Sequence, residues 1–172
     1  MAAKLPSPPS ATLDNQLCFA LYAASRAVTN YYRPLLDDLG ITYPQYLVLL
    51  VLWERGEITV KDLGAELQLD SGTLSPMLKR LEAAGILHRT RRADDERSVT
   101  VSLTEQGAAL RSKANCLPLA IQTAMGLDDR SVAQLRQTMH TLAASVRDAS
   151  PATSIAPTPD DADRVTKTVH RT

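Results

Sequence analysis

Residues 69–103 read LDSGTLSPMLKRLEAAGILHRTRRADDERSVTVSL, and this stretch decides the fold. Asp70 and Ser71 are favoured at a helix N-terminus and Gly85 just past a C-terminus, so a helix is predicted between them. The apolar residues of its inner face recur at helical spacing; they are Leu74, Met77, Leu78 and Leu81. Two strands follow, Ile86–Arg89 and Val99–Leu103, and apolar residues alternate in the second. The stretch therefore predicts a short helix followed by a hairpin crowded with arginines.

The residues before this stretch also repeat with helical periodicity. A long first helix is predicted, with Asp14 or Asn15 near its cap, a bend at Pro34 and an end at Gly40. A second helix is predicted over about Pro44–Arg55, because proline is favoured in the first turn of a helix. A third, shorter helix opens just after it, at Thr59-Val60-Lys61-Asp62, and carries Leu63 and Leu67 inward.

Two further helices are predicted after the hairpin. A fifth helix begins at residues 104–107 and carries one apolar stripe from Leu110 to Ala124, and a sixth carries a stripe from Val132 to Val146. Both stripes repeat about every seven residues, which fits either the core of one subunit or an interlocking contact with a second copy. The predicted fold is mainly α with a small β-wing, a winged helix-turn-helix whose terminal helices form a dimerisation region.

The chain is expected to hold one regulator unit between two tails. Residues 1–12 are predicted to be a flexible tail, and residues 150–172 a disordered one, because the latter contain almost no large apolar side chain. Residues 13–149 are long enough to form one domain with its own core. Within that domain we expect a DNA-binding lobe at about 43–104 and dimerisation helices at about 13–40 and 104–149.

Composition narrows the class of protein. Nineteen Lys and Arg balance nineteen Asp and Glu, so a nucleic-acid partner would require a local cationic face. No apolar run approaches the roughly 18–20 residues that cross a bilayer, and the start MAAKLPSPPS lacks the apolar core of a secretory signal. We therefore expect a cytoplasmic protein that has no membrane partner. Two cysteines are too few for a disulfide scaffold, and the three histidines lack ligand spacing, so neither a metal nor another cofactor is expected.

The helix in the decisive stretch carries four candidate DNA contacts. Ser71 and Thr73 lie in its first turn, where small side chains let hydroxyls and free backbone N–H groups meet bases and phosphates. Lys79 and Arg80 lie about two turns further on and can reach phosphates or a guanine edge. An ordinary capped surface helix with solvated cations would show the same pattern, so the helix alone leaves both interpretations open.

The hairpin favours the DNA-binding interpretation. Cations cluster along it and the preceding helix: Lys79, Arg80, Arg89, Arg91, Arg92 and Arg97. Arg97 follows the predicted tip and can enter the narrow, strongly negative minor groove of DNA. Asp95, two residues earlier, can hold that guanidinium by a charge-assisted pair. A helix and a charged hairpin at this separation are how a winged helix-turn-helix addresses a DNA duplex.

The hairpin sequence DDERSVTVSLTEQG and the preceding helix resemble the MarR-type winged helix-turn-helix regulators, over about Leu13–Ala149. The segment LDNQLCFALYAASRAVTNYYRPLLDDLGITYPQYLVLLVLWE resembles more narrowly their organic-hydroperoxide-sensing, OhrR-like branch. The resemblance implies DNA contacts at Ser71, Thr73, Lys79, Arg80, Asp95 and Arg97. It also implies a homodimer that binds an inverted repeat and takes an organic hydroperoxide as its inducer.

The same resemblance assigns Cys18 as the peroxide-reactive thiol, and Tyr32 and Tyr43 as donors of hydrogen bonds to its thiolate. A position near a helix N-terminus suits a thiolate, and peroxide converts a thiolate to a sulfenic acid. On periodicity alone, Cys18 would more often be a core residue. Cys18 and Tyr32 are fourteen residues apart on one helix, about 21 Å, so any contact between them must come from the other subunit.

Cys116 lies in the predicted fifth helix. The resemblance implies that, in some members of the branch, a second cysteine in this helix forms a disulfide with the sensor cysteine of the partner subunit. The resemblance places that position nearer the end of the helix, so two roles stay open. Cys116 is either a resolving thiol, which requires Cα atoms within about 7 Å, or a bystander to a one-cysteine mechanism.

The predicted function is a transcriptional repressor, not an enzyme, that releases its operator when Cys18 is oxidised. One alternative keeps the DNA binding and replaces oxidation by a non-covalent phenolic ligand. A second alternative, a thiol peroxidase, lacks support because the sequence shows neither a catalytic base set nor a resolving C-x-x-C motif.

Overall fold

The computed structural model describes residues 12–91 and 98–149. The predicted tails, apart from Thr12, and the hairpin tip at 92–97 lie outside the described residues. In chain order the elements are a 3-10 helix at Leu13–Asn15, α1 at Leu17–Asp37, α2 at Tyr43–Arg55, β1 at Ile58–Thr59, α3 at Val60–Leu67, α4 at Ser71–Ala83, β2 at Leu87–Arg91, β3 at Val99–Leu103, α5 at Glu105–Ala114, α6 at Leu117–Met125 and α7 at Asp129–Asp148. The predicted class, mainly α with a small sheet, is confirmed.

The start of the first helix differs from the prediction. Asp14 and Asn15 lie in the separate 3-10 helix, and the N-cap of α1 is Gln16, whose side chain makes no capping hydrogen bond. The helix continues through Pro34 and ends at Asp37. Gly40 lies in the turn that follows, with a φ of +69°, a conformation that glycine adopts without strain. The expected cap was therefore wrong, and the expected end was three residues late.

Side-chain caps define the starts of three helices in the central region; the cap at Asp70 was predicted, whereas the cap at Thr42 was not. The Thr42 side chain caps α2 in a capping box with Gln45, Thr59 accepts from the backbone N–H of Asp62 at the start of α3, and Asp70 accepts from Thr73 at the start of α4. Because each cap satisfies backbone donors that the helix leaves unpaired, the three helices begin at fixed residues.

One strand was missed, and another begins one residue later and ends two residues later than expected. The antiparallel sheet has the order β1-β3-β2, and Val101 of β3, which is fully buried, lies opposite Ile58 on one side and Arg89 on the other. The two residues of β1 are too few to show the alternation by which a strand is recognised. The predicted hairpin is confirmed, with β2 shifted to Leu87–Arg91.

The start of α5 lies directly against the turn between α4 and the hairpin. A Cβ atom on Gly107 would lie 2.0 Å from the carbonyl oxygen of Ile86, so only glycine fits there. The Thr104 hydroxyl donates to the Gly85 carbonyl oxygen at 2.6 Å, and the indole N–H of Trp53 donates to the Gly107 carbonyl oxygen at 3.0 Å. These contacts join α2 and α5 to the turn between α4 and the hairpin.

The predicted fifth helix is two helices. Its stripe from Leu110 to Ala124 crosses a break after Ala114, and Cys116 is the N-cap of α6 and not a residue within one long helix. Pro118 explains the break, because it has no backbone N–H to donate to the Ala114 carbonyl. The regular apolar stripe concealed this interruption.

The chain divides into two units, one up to Gly126 and one from Leu127. Most of the core of the first unit comes from α2, α3, α4 and the sheet; its largest fully buried side chains include Leu49, Leu52, Leu63, Leu74, Leu78, Leu81, Leu87 and Val101. In the second unit, α7 is amphipathic but has no buried residue, and Leu135 and Val146 are exposed.

Across the described ranges, no helix combines the length and the apolarity that a membrane span requires.

Candidate DNA interface and redox site

Helix α4 presents its polar face outward. Leu74, Leu78 and Leu81 are each about 1% exposed and anchor the helix in the core. All four candidate DNA contacts of this helix are exposed: Ser71, Thr73, Lys79 and Arg80. The structure therefore leaves these four side chains of α4 accessible to a ligand.

The first turn of α4 is capped by the side chain that precedes it. The Asp70 carboxylate accepts the backbone N–H of Thr73 at 2.9 Å and its hydroxyl at 3.1 Å. These hydrogen bonds lower the pKa of Asp70, so the cap stays ionised. The N–H of Thr73 is therefore not among the free N–H groups of this turn, because a carboxylate already occupies it. The Thr73 hydroxyl oxygen can still accept a hydrogen bond.

Pro76 lies in the middle of the exposed face of α4. It has no N–H, so the Gly72 carbonyl does not receive the usual hydrogen bond from the residue four positions later. The buried leucines hold the helix together in spite of this missing bond. The proline was visible in the sequence but was not weighed.

The described part of the hairpin contains one exposed and one paired arginine. Arg91 is exposed, whereas Arg89 forms an ion pair with Glu82 of α4 at 2.6 Å. Counting Arg89 among the free cations was therefore wrong, since its charge is already neutralised. Asp95 and Arg97, the predicted contacts of the hairpin tip, lie outside the described residues, as does Arg92.

Cys18 is exposed in the first turn of α1. The N-cap Gln16 provides no side-chain acceptor there, so the N–H groups of this turn have no side-chain cap. An uncapped helix N-terminus is an environment that stabilises a nearby negative charge. The prediction from periodicity alone, a buried core cysteine, is wrong for this residue in the single chain.

Tyr32 and Tyr43 are in contact, and a third tyrosine that the sequence reasoning missed joins them. The ring centroids of Tyr32 and Tyr43 are 4.8 Å apart, and Tyr46 lies 5.9 Å from Tyr32. Trp53 meets Tyr46 edge-on at 6.2 Å. The spacing of Tyr43 and Tyr46, three residues apart on α2, was the available signal, because such residues share a helix face.

Burial keeps these phenols protonated. Burial, with smaller effects from the two neighbouring phenols, raises the pKa of Tyr32 to about 12, and burial also raises the pKa of Tyr43 and Tyr46. A phenol that keeps its proton remains a hydrogen-bond donor over the whole physiological range. The structure brings Tyr32 and Tyr43 together, but Cys18 of the same chain lies fourteen residues away from Tyr32 along α1.

Cys116 is exposed at the start of α6, and its thiol donates to the Lys113 carbonyl oxygen at 3.6 Å. It also lies close enough to Tyr46 to contribute, after burial and Tyr43, to the raised pKa of that phenol. Among the described residues, no three His, Cys, Asp or Glu side chains form a group that could hold a metal ion.

Known proteins share this fold and much of this sequence. A family model described as the transcriptional regulator SarA/Rot matches residues 30–113. The organic hydroperoxide resistance transcriptional regulator of Bacillus subtilis is 55% identical over 133 residues, which cover 76% of this chain and 88% of the relative.

Two similar structures are complexes with DNA. Reduced AbfR bound to DNA, a protein of Staphylococcus epidermidis, matches with a TM-score of 0.68 and 36% identity over 78% of this chain and 92% of AbfR. A MarR mutant from E. coli complexed with operator DNA matches with a TM-score of 0.67 and 26% identity over 73% and 92% of the two chains. The chain therefore belongs to the MarR-type winged helix-turn-helix transcriptional regulators, in the branch that includes the organic hydroperoxide resistance regulator.

Proposed function

We propose that this chain is a homodimeric repressor that binds an inverted-repeat operator and releases it when an organic hydroperoxide oxidises Cys18. The single observation that carries the proposal is the exposed Cys18 thiol at an uncapped helix N-terminus, in a chain whose α4 presents a polar, cationic face. A regulator of this family needs both a surface that reads DNA and a group that changes when the signal arrives.

DNA binding uses the outer face of α4 and the hairpin. Lys79 and Arg80 supply charge for phosphates or a guanine edge, and Ser71 and Thr73 supply hydroxyl oxygens for base edges. Arg97 and Asp95 of the hairpin tip are assigned the minor-groove contact on the family resemblance alone. Because the net charge of the chain is zero, we expect affinity to depend on this local surface.

The homodimer is supported by apolar side chains exposed in the single chain. They lie on α1, α6 and α7 and include Leu17, Phe19, Leu119, Met125, Leu135 and Val146. Exposed apolar side chains concentrated on terminal helices are typical of a surface that a partner covers. We assign residues 13–40 and 104–149 to dimerisation and residues 43–104 to the DNA-binding lobe, so that two copies of α4 face two half-sites.

Oxidation of Cys18 by an organic hydroperoxide is a two-electron step. The thiolate attacks the terminal oxygen of the hydroperoxide, the O–O bond breaks, and the products are a sulfenic acid on Cys18 and the alcohol, which takes up one proton. In the dimer, Tyr32 and Tyr43 of one subunit donate hydrogen bonds to Cys18 of the other. Apolar side chains beside Cys18, such as Phe19, favour an organic peroxide over hydrogen peroxide.

The test uses duplex DNA that the reduced protein selects from a random pool of duplexes about 30 base pairs long, enough for two half-sites. Cumene hydroperoxide should release wild-type protein from the selected duplex, and Cys18→Ser should stay bound. Cys116→Ser serves as the matched thiol control for this measurement. A Cys18→Ser variant that still releases DNA on oxidation would refute Cys18 as the sensor.

Two further readouts separate the alternatives. Release by a redox-inert phenol, with the mass of Cys18 unchanged, would favour a non-covalent ligand. Steady turnover of peroxide with a reductant, unaffected by Arg80→Ala, would favour a thiol peroxidase. We expect neither result.

A further inference from the structure

One side chain joins the end of α4 to the first strand of the hairpin. The Glu82 carboxylate accepts three hydrogen bonds from Arg89: from its backbone N–H on Oε1 at 3.2 Å, from Nε on Oε2 at 2.8 Å and from Nη2 on Oε2 at 2.6 Å. Glu82 lies in the last turn of α4, and Arg89 is the middle residue of β2. We call this contact the Glu82–Arg89 brace.

The brace acts on the backbone as well as on the side chain. Strand β2 is an edge strand of the sheet, and the backbone N–H of Arg89 reaches the Glu82 carboxylate instead of another strand. This hydrogen bond to the main chain of β2 therefore fixes the position of the strand relative to α4. A free edge N–H would otherwise bind water or another chain.

The brace also determines what the Arg89 charge can do. The side chains of Arg89 and Glu82 are 28% and 35% exposed, so the pair is partly shielded from solvent. Hydrogen bonds from Arg89 lower the pKa of Glu82, which keeps the carboxylate ionised. With Nε and Nη2 both committed to Glu82, Arg89 is poorly placed to serve as a free phosphate contact.

We propose that Glu82 and Arg89 are positioning residues that hold the hairpin against α4, so that both elements meet the duplex in one arrangement. The inference rests on the proposed DNA binding and extends it, because neither residue was assigned a role in recognition. It predicts that an acidic residue promotes DNA binding, which is the opposite of its direct electrostatic effect on a polyanion.

The test is whether removing the Glu82 charge weakens or strengthens DNA binding. Affinity for the selected duplex is measured by fluorescence anisotropy at several salt concentrations, with wild type, Glu82→Gln, Arg89→Ala, Arg89→Lys and the double variant Glu82→Gln/Arg89→Ala. The matched control is Glu66→Gln, because Glu66 forms an equally short ion pair with Arg55 at 2.6 Å between α2 and α3. Thermal unfolding of each variant establishes that binding is measured on folded protein.

We expect Glu82→Gln to weaken binding about tenfold, whereas Glu66→Gln leaves it unchanged or slightly tighter. Arg89→Lys should lose as much as Arg89→Ala, since lysine keeps the charge but not the paired N–H donors. The double variant should bind no more weakly than Arg89→Ala alone. The slope of affinity against salt should stay at the wild-type value in every variant.

Tighter or unchanged binding by Glu82→Gln would overturn the proposal. The proposal would also be overturned if Arg89→Lys bound like wild type while Arg89→Ala reduced the slope of log affinity against log salt concentration by about 0.9. That pattern identifies Arg89 as a phosphate contact. Should Glu82→Gln fail to fold, Glu82→Asp keeps the charge but shortens the reach, and the same criteria apply to it. If wild-type protein selects no duplex at all, the proposed function fails instead of the brace.

Discussion

The rings of Tyr32 and Tyr43 contact each other in the same chain, with their centroids 4.8 Å apart and their planes tilted by 37°. Tyr32 is on the same helix as Cys18 but fourteen residues further along, a distance of about 21 Å at 1.5 Å per residue. A phenol reaches only a small part of that distance. If the tyrosines assist Cys18, each redox site must therefore combine Cys18 of one chain with the tyrosines of the other.

Mixed dimers test this arrangement directly. A dimer of Cys18→Ser with Tyr32→Phe has one Cys18, which faces an intact Tyr32 of the partner, and it should react with cumene hydroperoxide as fast as a wild-type site. A dimer of wild type with the double variant Cys18→Ser/Tyr32→Phe has one Cys18 facing Phe, and it should react more slowly. Stopped-flow or quenched mass analysis measures both rates. The reverse order of rates would place the contact within one chain.

The tyrosine cluster should also make stability depend on pH in the alkaline range. Burial raises the pKa of Tyr32 from 10.0 to about 12, so the unfolded chain loses this proton first as the pH rises. The stabilisation is fully present below about pH 10 and is lost between pH 10 and 12. Urea unfolding across this range should show the decline, and Tyr32→Phe should flatten it. A wild-type curve without a decline would contradict the assigned environment.

Gly107→Ala should destabilise the protein, because the new methyl group would lie 2.0 Å from the Ile86 carbonyl oxygen. The clash is with backbone, so we expect a loss of about 3 kcal/mol in the free energy of unfolding. Ala108→Gly, at the next and exposed position of α5, is the control and should cost at most about 1 kcal/mol. Equal midpoints for the two variants in thermal unfolding would argue against the close approach.

Pro76→Ala should stabilise the protein, since a proline in a helix interior removes a hydrogen bond and crowds the preceding turn. After allowance for the more flexible unfolded chain, we expect a gain of about 2 kcal/mol. The matched control is Pro118→Ala, because Pro118 lies in the first turn of α6, where proline is tolerated. Chemical denaturation compares the two. A Pro76→Ala variant that unfolds more easily would mean that the proline ring itself packs against something.

Cys116→Ser should leave peroxide-induced release intact if oxidised Cys18 is trapped by a small external thiol. Intact mass without reductant then shows a sulfenate or a mixed disulfide on Cys18 in the variant and in wild type. A covalent dimer that forms in wild type and disappears in Cys116→Ser would instead identify Cys116 as the resolving thiol, and release should then slow in the variant.

The parts of the fold that were predictable are those that short local patterns determine. The caps at Thr59 and Asp70 and the alternation in β3 each depend on a few neighbouring residues, and all three are confirmed. The two-residue β1 was invisible because it exists only through its pairing with β3. The break at Ala114 was missed because a continuous apolar stripe was given more weight than Pro118.

In the candidate site, too, the features that follow from local sequence patterns were predictable, and the long-range contacts were not. Exposure of Thr73, Lys79 and Arg80 follows from the helix period, and so does the shared face of Tyr43 and Tyr46. The sequence could not show that Arg89 is held by Glu82, since the two are brought together by the turn at Gly85. The Asp70 cap, by contrast, was predicted from the sequence, and its acceptance of the Thr73 N–H follows from that position.

Trp53 is the only tryptophan of the chain. Its indole lies against Tyr46 of the tyrosine cluster and donates to the Gly107 carbonyl at the start of α5, beside the turn between α4 and the hairpin. Indole emission shifts when a ring contact or a hydrogen bond changes. The protein therefore carries an intrinsic fluorophore between its sensing and reading parts, and an unlabelled sample can report in real time whether oxidation is transmitted from one to the other.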